Sequence, residues 1–326
     1  MGLLVDGQWQ DAWYDTKSNG GAFKRPDTRF RNGISADGSG DFPAEAGRYH
    51  LYIAHACPWA NRAMILRHLK GLQDIISVSV VHWHMDDEGW RFDDSTPGAT
   101  IDHIHGFQRL HQVYTKSDPH YSGRVTVPVL WDKKTSRIVN NESAEIIRIL
   151  NSAFDTVPGI GHPERDYYPK DLQLEIDAIN ERIYHAINNG VYKAGFATTQ
   201  SAYEEAFDAL FETLDAMDER LATRRYLLGD RLTEADWRFF TTLVRFDAVY
   251  VGHFKCNKQR IADYPHLSAY LRELYQMPGI ADTVVFDHIK LHYYQSHGSI
   301  NPTGIVPKGP DLDLGQPHNR DHLKAA

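Results

Sequence analysis

Cysteine is scarce in this chain: 326 residues carry only two, Cys57 and Cys256, far apart in sequence. That excludes a disulfide framework and fits a reducing compartment, the cytoplasm, where a lone thiol stays free. No apolar run reaches the ~18 residues that a membrane-spanning helix needs. Positive charge is not in excess either. Lys and Arg number 35 against 43 Asp and Glu, and a formal net charge of −8 argues against nucleic acid or an anionic membrane as the main partner. The opening MGLLVDGQWQ has no basic segment and no sustained apolar one, so no secretory signal is expected, and Asp6 stands where a myristoylation signal wants Ser or Thr. No internal repeat or low-complexity segment is found. What is left is a globular composition, 42% hydrophobic and 24% charged, on a chain long enough for two domains with real cores.

Residues 1–47 are polar, rich in Gly, Asp and Arg, and without a period; they read as an extended arm lying on the body. From 48 to 157 the pattern sharpens. Arg48–Ala54 reads as a strand, and Pro58–Leu69 as a helix with Ala63, Leu66 and Leu69 on one face. Ile75–Trp83 is β-branched and apolar, as a buried strand would be. An acidic loop, HMDDEGWRFDD, and a long irregular stretch lead to Gly123. Val125–Trp131 and Arg137–Val139 read as strands around the turn DKKTS, and Glu142–Phe154 as a helix. This βαβ, ββα order is that of a thioredoxin-like domain. From 158 to 290 the period becomes helical throughout. Leu172, Ile176, Ile179, Ile183 and Ile187 form one stripe, ended by Asn188-Asn189-Gly190. Phe207, Leu210, Leu214, Met217 and Leu221 form a second, Thr233-Glu234-Ala235-Asp236 opens a further helix with a capping-box pattern, and Leu267, Tyr270, Leu271 and Leu274 mark another. Residues 291–326 read as a tail. The expected fold class is α/β plus all-α: a thioredoxin-like N-terminal domain followed by an all-helical C-terminal one.

The chemistry concentrates at HACPWANR. A cysteine just before a helix has its sulfur near unpaired N–H groups and the positive end of the helix dipole, and both favour thiolate over thiol. Pro58 suits the first helical position, where a missing N–H costs nothing. Ala60 stands where a second cysteine would complete Cys-x-x-Cys, so a mixed disulfide at Cys57 needs a thiol from outside. Val127-Pro128 lies inside a strand-like run; a cis peptide would reconcile the proline with the strand and leave the Val127 N–H and C=O to pair with an extended peptide ligand. Asn140-Asn141-Glu142-Ser143 opens a helix with a carboxylate, a hydroxyl and free N–H groups, suited to an amino-acid head bearing both charges. His82, His84, Asp86 and Asp87 could be read as metal ligands, but surface solvation is the preferred reading and no metal is expected.

Together these features resemble a glutathione transferase. ACPWANR, GWRF, VTVPVLWD, NNESAEIIR, NNGVYKAGFATTQ, LTEADWR and HYYQSHGSINPTGIVP narrow the resemblance to the glutathionyl-hydroquinone reductases, the Xi class, from about Arg48 to Pro310. One departure is Asn61, where the pattern has His.

The resemblance implies that Cys57 is the nucleophile and that Trp90 contacts glutathione. Arg124, Val125, Thr126 and Val127 would bind its peptide backbone, and Glu142 and Ser143 its γ-glutamyl head. Tyr192 matches the proton donor and acceptor. Tyr250 and Tyr293 match tyrosines that favour the thiolate, with Tyr294 an adjacent alternative to Tyr293. It implies glutathione as cosubstrate, glutathionylated hydroquinones as substrates and a homodimer. Two other functions fit parts of the pattern: a general thioltransferase or dehydroascorbate reductase using the same cysteine, and a glutathione-transferase-like binding module without catalysis.

Overall fold

The computed structural model describes residues 2–159, 162 and 164–323. The chain packs as two units, neither continuous in sequence: residues 1–13, 26–166 and 283–297 form one, and residues 14–25, 167–282 and 298–326 the other.

The first unit begins with a hairpin, β1 (Leu3–Val5) and β2 (Gln8–Gln10), inside the stretch read from the sequence as an extended arm lying on the body. Then come β3 (Tyr49–Ile53), α1 (Pro58–Leu69), β4 (Ile76–Val80), α2 (Leu110–Ser117), β5 (Gly123–Arg124), β6 (Val129–Asp132), β7 (Arg137–Asn140) and α3 (Ser143–Ser152). The sheet order is β4-β3-β6-β7, with β3 and β4 parallel and the other neighbours antiparallel. Every residue of β3 is buried, as a central strand covered on both faces requires. At its start Arg48 gives Asp132 two bonds, from Nε at 2.8 Å and Nη2 at 2.6 Å, pinning β3 to β6.

Two departures from the expected elements have local causes. The irregular stretch before Gly123 holds α2, whose inward residues are only Leu110, Val113 and Tyr114. Eight residues, about two turns, with three inward positions are too short to show a period. The strand expected from Val125 starts at Val129, because the backbone of Thr126 bonds the Tyr114 hydroxyl and not a neighbouring strand: O–H to carbonyl at 2.8 Å, N–H to hydroxyl at 3.2 Å.

The second unit is helical: α4 (Gln173–Ile183), α5 (Gly190–Phe196), α6 (Gln200–Leu221), α7 (Glu234–Arg245) and α8 (Pro265–Tyr275). The Leu172–Ile187 stripe runs out of α4 into a π-helical turn, Tyr184–Asn188, and a second such turn, Phe246–Tyr250, follows α7. Residues 298–323 lie on this unit, where the buried Arg320 bonds Glu273 at 2.8 Å. The chain returns to the first unit with α9 (Phe286–Ser296), which takes up the beginning of the expected tail. Its ties there are specific. His288 Nε2 bonds the Pro97 carbonyl, His292 Nδ1 the Trp83 carbonyl, both at 2.8 Å, and Ser296 Oγ accepts from the Met85 N–H at 3.1 Å.

No described helix is long and apolar enough to cross a membrane.

Candidate active site

Cys57 is the N-cap of α1, extended at φ −78° and ψ 119°, with Pro58 as the first helical residue. Its carbonyl accepts the Asn61 N–H at 3.0 Å, so the thiol sits over the helix's opening turn. The side chain is half-buried and its Sγ lies 3.5 Å from the Val127 carbonyl oxygen. The Val127–Pro128 peptide is cis, as the sequence pattern suggested. Among the described residues no partner is found for the Val127 N–H.

The second helix start lies beside the first. Glu142 is the N-cap of α3; its Oε1 accepts the Ala144 N–H at 3.1 Å and its Oε2 the Thr28 hydroxyl at 3.3 Å. Ser143 opens α3, and its hydroxyl receives a contact from Arg62 Nη1 of α1 at 3.4 Å. That guanidinium is buried and stacked over Trp59, 4.5 Å from the ring centre. A fixed positive charge thus stands at the opening of α3, and it reinforces an environment for anionic groups.

Trp90 is buried, and its ring stacks on His292 at 4.8 Å and 23°. Arg124 spends its guanidinium on the N-terminal segment, donating to the carbonyls of Ala12 and of Trp13. What Arg124–Val127 can offer a ligand is therefore chiefly backbone; Val125 and Val127 are themselves buried. Tyr293, on α9, is buried with its ring edge-on to His297 at 5.5 Å. Tyr294 is buried as well.

Tyr192 and Tyr250 belong to the helical unit and are neighbours there, with ring centroids 6.0 Å apart. Tyr250 closes the second π-helical turn, and Tyr192 sits on α5, just after the first. Single π-turns within helices recur at functional sites. Arg25 lies over the Tyr192 ring at 5.0 Å and holds Asn189 Oδ1 at 3.0 Å. Cys57, Trp90, Arg124–Val127, Glu142, Ser143 and Tyr293 fall in the first unit and these two tyrosines in the second.

Three residues here escaped the sequence reading. Arg62 looks like one more charge on a helix, although it is four residues after Pro58 and so on the same face. His292 had a signal in its position next to Tyr293. Asn61 was seen only as a departure from the pattern; its Nδ2 donates to the Thr283 carbonyl and hydroxyl, both at 3.0 Å, fixing the start of the 283–297 segment to α1. The histidine and aspartate cluster is otherwise engaged. His82 bonds Thr96 and the His84 N–H, and Asp86 is held by Arg109. Among the described residues no group of His, Cys, Asp or Glu is placed to hold a metal ion.

Two family signatures match the chain: the glutathione S-transferase N-terminal domain over residues 56–153 and the C-terminal domain over residues 200–273. The glutathionyl-hydroquinone reductase YqjG of Escherichia coli is 58% identical over 98% of this chain and 99% of its own length. The glutathione-bound structure of YqjG superposes with a TM-score of 0.89, at 55% identity over 98% of this chain and 99% of that one. A Xi-class glutathione transferase from Natrialba magadii gives 0.93, at 49% identity over 100% and 98%. The chain belongs to the glutathionyl-hydroquinone reductases, the Xi class of glutathione transferases. Its thioredoxin-like and helical units are the two domains of that superfamily.

Proposed function

We propose that this protein removes glutathione reductively from glutathionyl-hydroquinones, using Cys57 as nucleophile and free glutathione as the second substrate. The observation that carries the reading is a lone half-buried thiol at a helix start, facing the Val127 carbonyl, with no second cysteine available to it. Cys256 lies in the helical unit, fully buried, and burial pushes its thiol pKa well up. A thiol held neutral is a poor resolving nucleophile.

Glutathione would lie extended along Arg124–Val127, pairing with the Val127 N–H and C=O, with its γ-glutamyl head at Glu142, Ser143 and the opening of α3 and its body against Trp90. Direct attack on an aryl thioether would expel an aryl carbanion. Tyr192 solves this by moving a proton to the ring carbon that bears sulfur, giving the keto tautomer. The Cys57 thiolate then attacks the glutathionyl sulfur. The S–S bond forms, the C–S bond breaks, and its electron pair flows to the carbonyl oxygen, so the hydroquinone leaves as a phenolate. The ring is reduced and the two sulfurs are oxidised. A second glutathione thiolate attacks the mixed disulfide, releasing glutathione disulfide and restoring Cys57. Tyr250 and Tyr293 would donate hydrogen bonds that favour the thiolate. The active form would be a cytoplasmic homodimer.

Cys57→Ser tests the scheme. Turnover of glutathionyl-menadiol should be abolished while glutathione still binds, because Val127, Glu142 and Ser143 are untouched. Wild type given substrate without free glutathione should carry one glutathione on Cys57 by mass spectrometry. Near-normal turnover in the variant would sink the mechanism.

A further inference from the structure

The N-terminal hairpin touches both stretches of backbone that the proposed glutathione site uses. On one side β1 pairs antiparallel with β5, Leu3 opposite Arg124 and Leu4 opposite Gly123, directly before Val125–Val127. Gly7 N–H bonds the Tyr121 carbonyl at 3.0 Å and Asp6 N–H the Ser122 hydroxyl at 2.8 Å, while Arg124 reaches back to Ala12 and Trp13. On the other side stands Trp9, opposite Leu4 on β2. Its indole N–H donates to the Asp87 carbonyl at 2.8 Å, and its ring stacks on His111 at 5.1 Å and 26°. Gly89, adjacent to Trp90, is at φ +80°, and a Cβ there would come within 2.7 Å of the Trp9 ring. The turn carrying Trp90 is therefore shaped against Trp9, both by its left-handed glycine and by direct contact.

We propose that Trp9 is a positioning residue for glutathione: through it, the hairpin braces the Trp90 turn and the Arg124–Val127 backbone in one fixed relation. A tripeptide held by backbone pairing on one side and an indole on the other binds well only if both are held in place before it arrives. Neither is anchored by long secondary structure, since β5 has two residues and the Trp90 turn lies outside any strand or helix. The Trp90 stretch is tied to the start of α2 by the Leu110 N–H on its carbonyl at 2.9 Å and by Arg109 on Asp86, and the hairpin adds the link from there to β5 and Arg124–Val127. The proposal rests on the reading that these two stretches hold glutathione.

The test compares wild type with Trp9→Ala, Trp9→Phe and Glu142→Ala by calorimetric titration of glutathione, steady-state kinetics and thermal melting. Trp9→Ala should weaken glutathione binding about five- to tenfold, the range expected for losing one hydrogen bond and its stacked ring. It should raise the KM for glutathione while kcat and the iodoacetamide labelling rate of Cys57 stay within about twofold. Trp9→Phe keeps an aromatic ring without the indole N–H that bonds Asp87, and should recover part of the loss. Unchanged affinity in a folded Trp9→Ala overturns the proposal. So does a parallel fall in kcat, affinity and Cys57 labelling that Trp9→Phe does not repair, because that is general loosening of the fold. Glu142→Ala separates this from the site reading: if it leaves glutathione affinity intact, the placement of glutathione is at fault and not the brace. Should Trp9→Ala fail to fold, wild type still decides. Coupling is reciprocal, so glutathione should slow amide exchange in Leu3–Gln10, and no change in exchange there overturns the proposal.

Discussion

Tyr192 is held from more than one side: Arg25 lies over its ring, and Tyr250 and Phe254 meet it at 6.0 and 5.4 Å. A phenol so confined can present its hydroxyl in one direction, which a positioned acid must do. Replacing it with Phe keeps the packed ring and removes only the hydroxyl that would carry the proton. Exchange with hydroxyethyl disulfide needs a thiolate and a thiol leaving group, with no ring proton to move. Cleavage of an aryl thioether does need that proton, and losing a positioned acid typically costs about 10²–10⁴ in rate. Tyr192→Phe should therefore keep most disulfide exchange, lose most turnover of glutathionyl-hydroquinones and melt near the wild-type temperature. Equal loss of both activities would place Tyr192 on Cys57 or glutathione. Loss of neither would move the proton transfer elsewhere, to Tyr293 or to water.

At the scale of elements, what could be read from the sequence depended on whether the determining residues were neighbours in it. Cys57-Pro58 at a helix start, Val127-Pro128 and Glu142-Ser143 are local signals, and the structure shows a helix cap, a cis peptide and a second cap at those places. The β1–β2 hairpin was invisible because its strands have three residues each and its partner, Gly123-Arg124, is more than a hundred positions away. The attachment of α9 to the first unit was hidden for the same reason: Asn61 to Thr283 and Trp83 to His292 are contacts that no period encodes. The start of α7 was fully legible. Thr233 and Asp236 form the expected reciprocal cap, and the Asp236 carboxylate, buried at 0% exposure, also accepts from the Leu227 N–H at 2.8 Å and the Tyr270 hydroxyl at 2.7 Å. Four donors converge on it, so an amide must turn its own NH₂ toward one of them. Asp236→Asn should cost about 2–4 kcal/mol of unfolding free energy in urea titration, with activity per folded molecule unchanged. A cost below half a kcal/mol would mean that the helical unit does not depend on this cap.

Across the whole molecule, both units hide a histidine that must stay neutral. His50 lies fully buried on β3 with Ser77 and Ser79 hydroxyls at 2.7 and 3.0 Å from its two ring nitrogens, and burial pushes its pKa down to about 3. His253, in the helical unit, is pushed down to about 4 by burial and then by Lys255. In the unfolded chain each takes its proton near pH 6.5. Below that value the unfolded state binds more protons, so stability complete above about pH 6.5 is lost as pH falls toward the folded pKa. Asp236 and Asp247 act in the opposite sense, since burial raises their pKa values and the folded state then holds the extra proton. The net curve therefore mixes both signs, and the contribution of His50 has to be isolated by difference. His50→Gln can still bond both serines and cannot take a proton. Its stability gap from wild type, measured by urea unfolding, should shrink by roughly 2–3 kcal/mol between pH 7 and pH 4.5. A gap that stays constant over that range would mean that His50 is protonated equally in the folded and unfolded states, and that acid sensitivity arises elsewhere in the molecule.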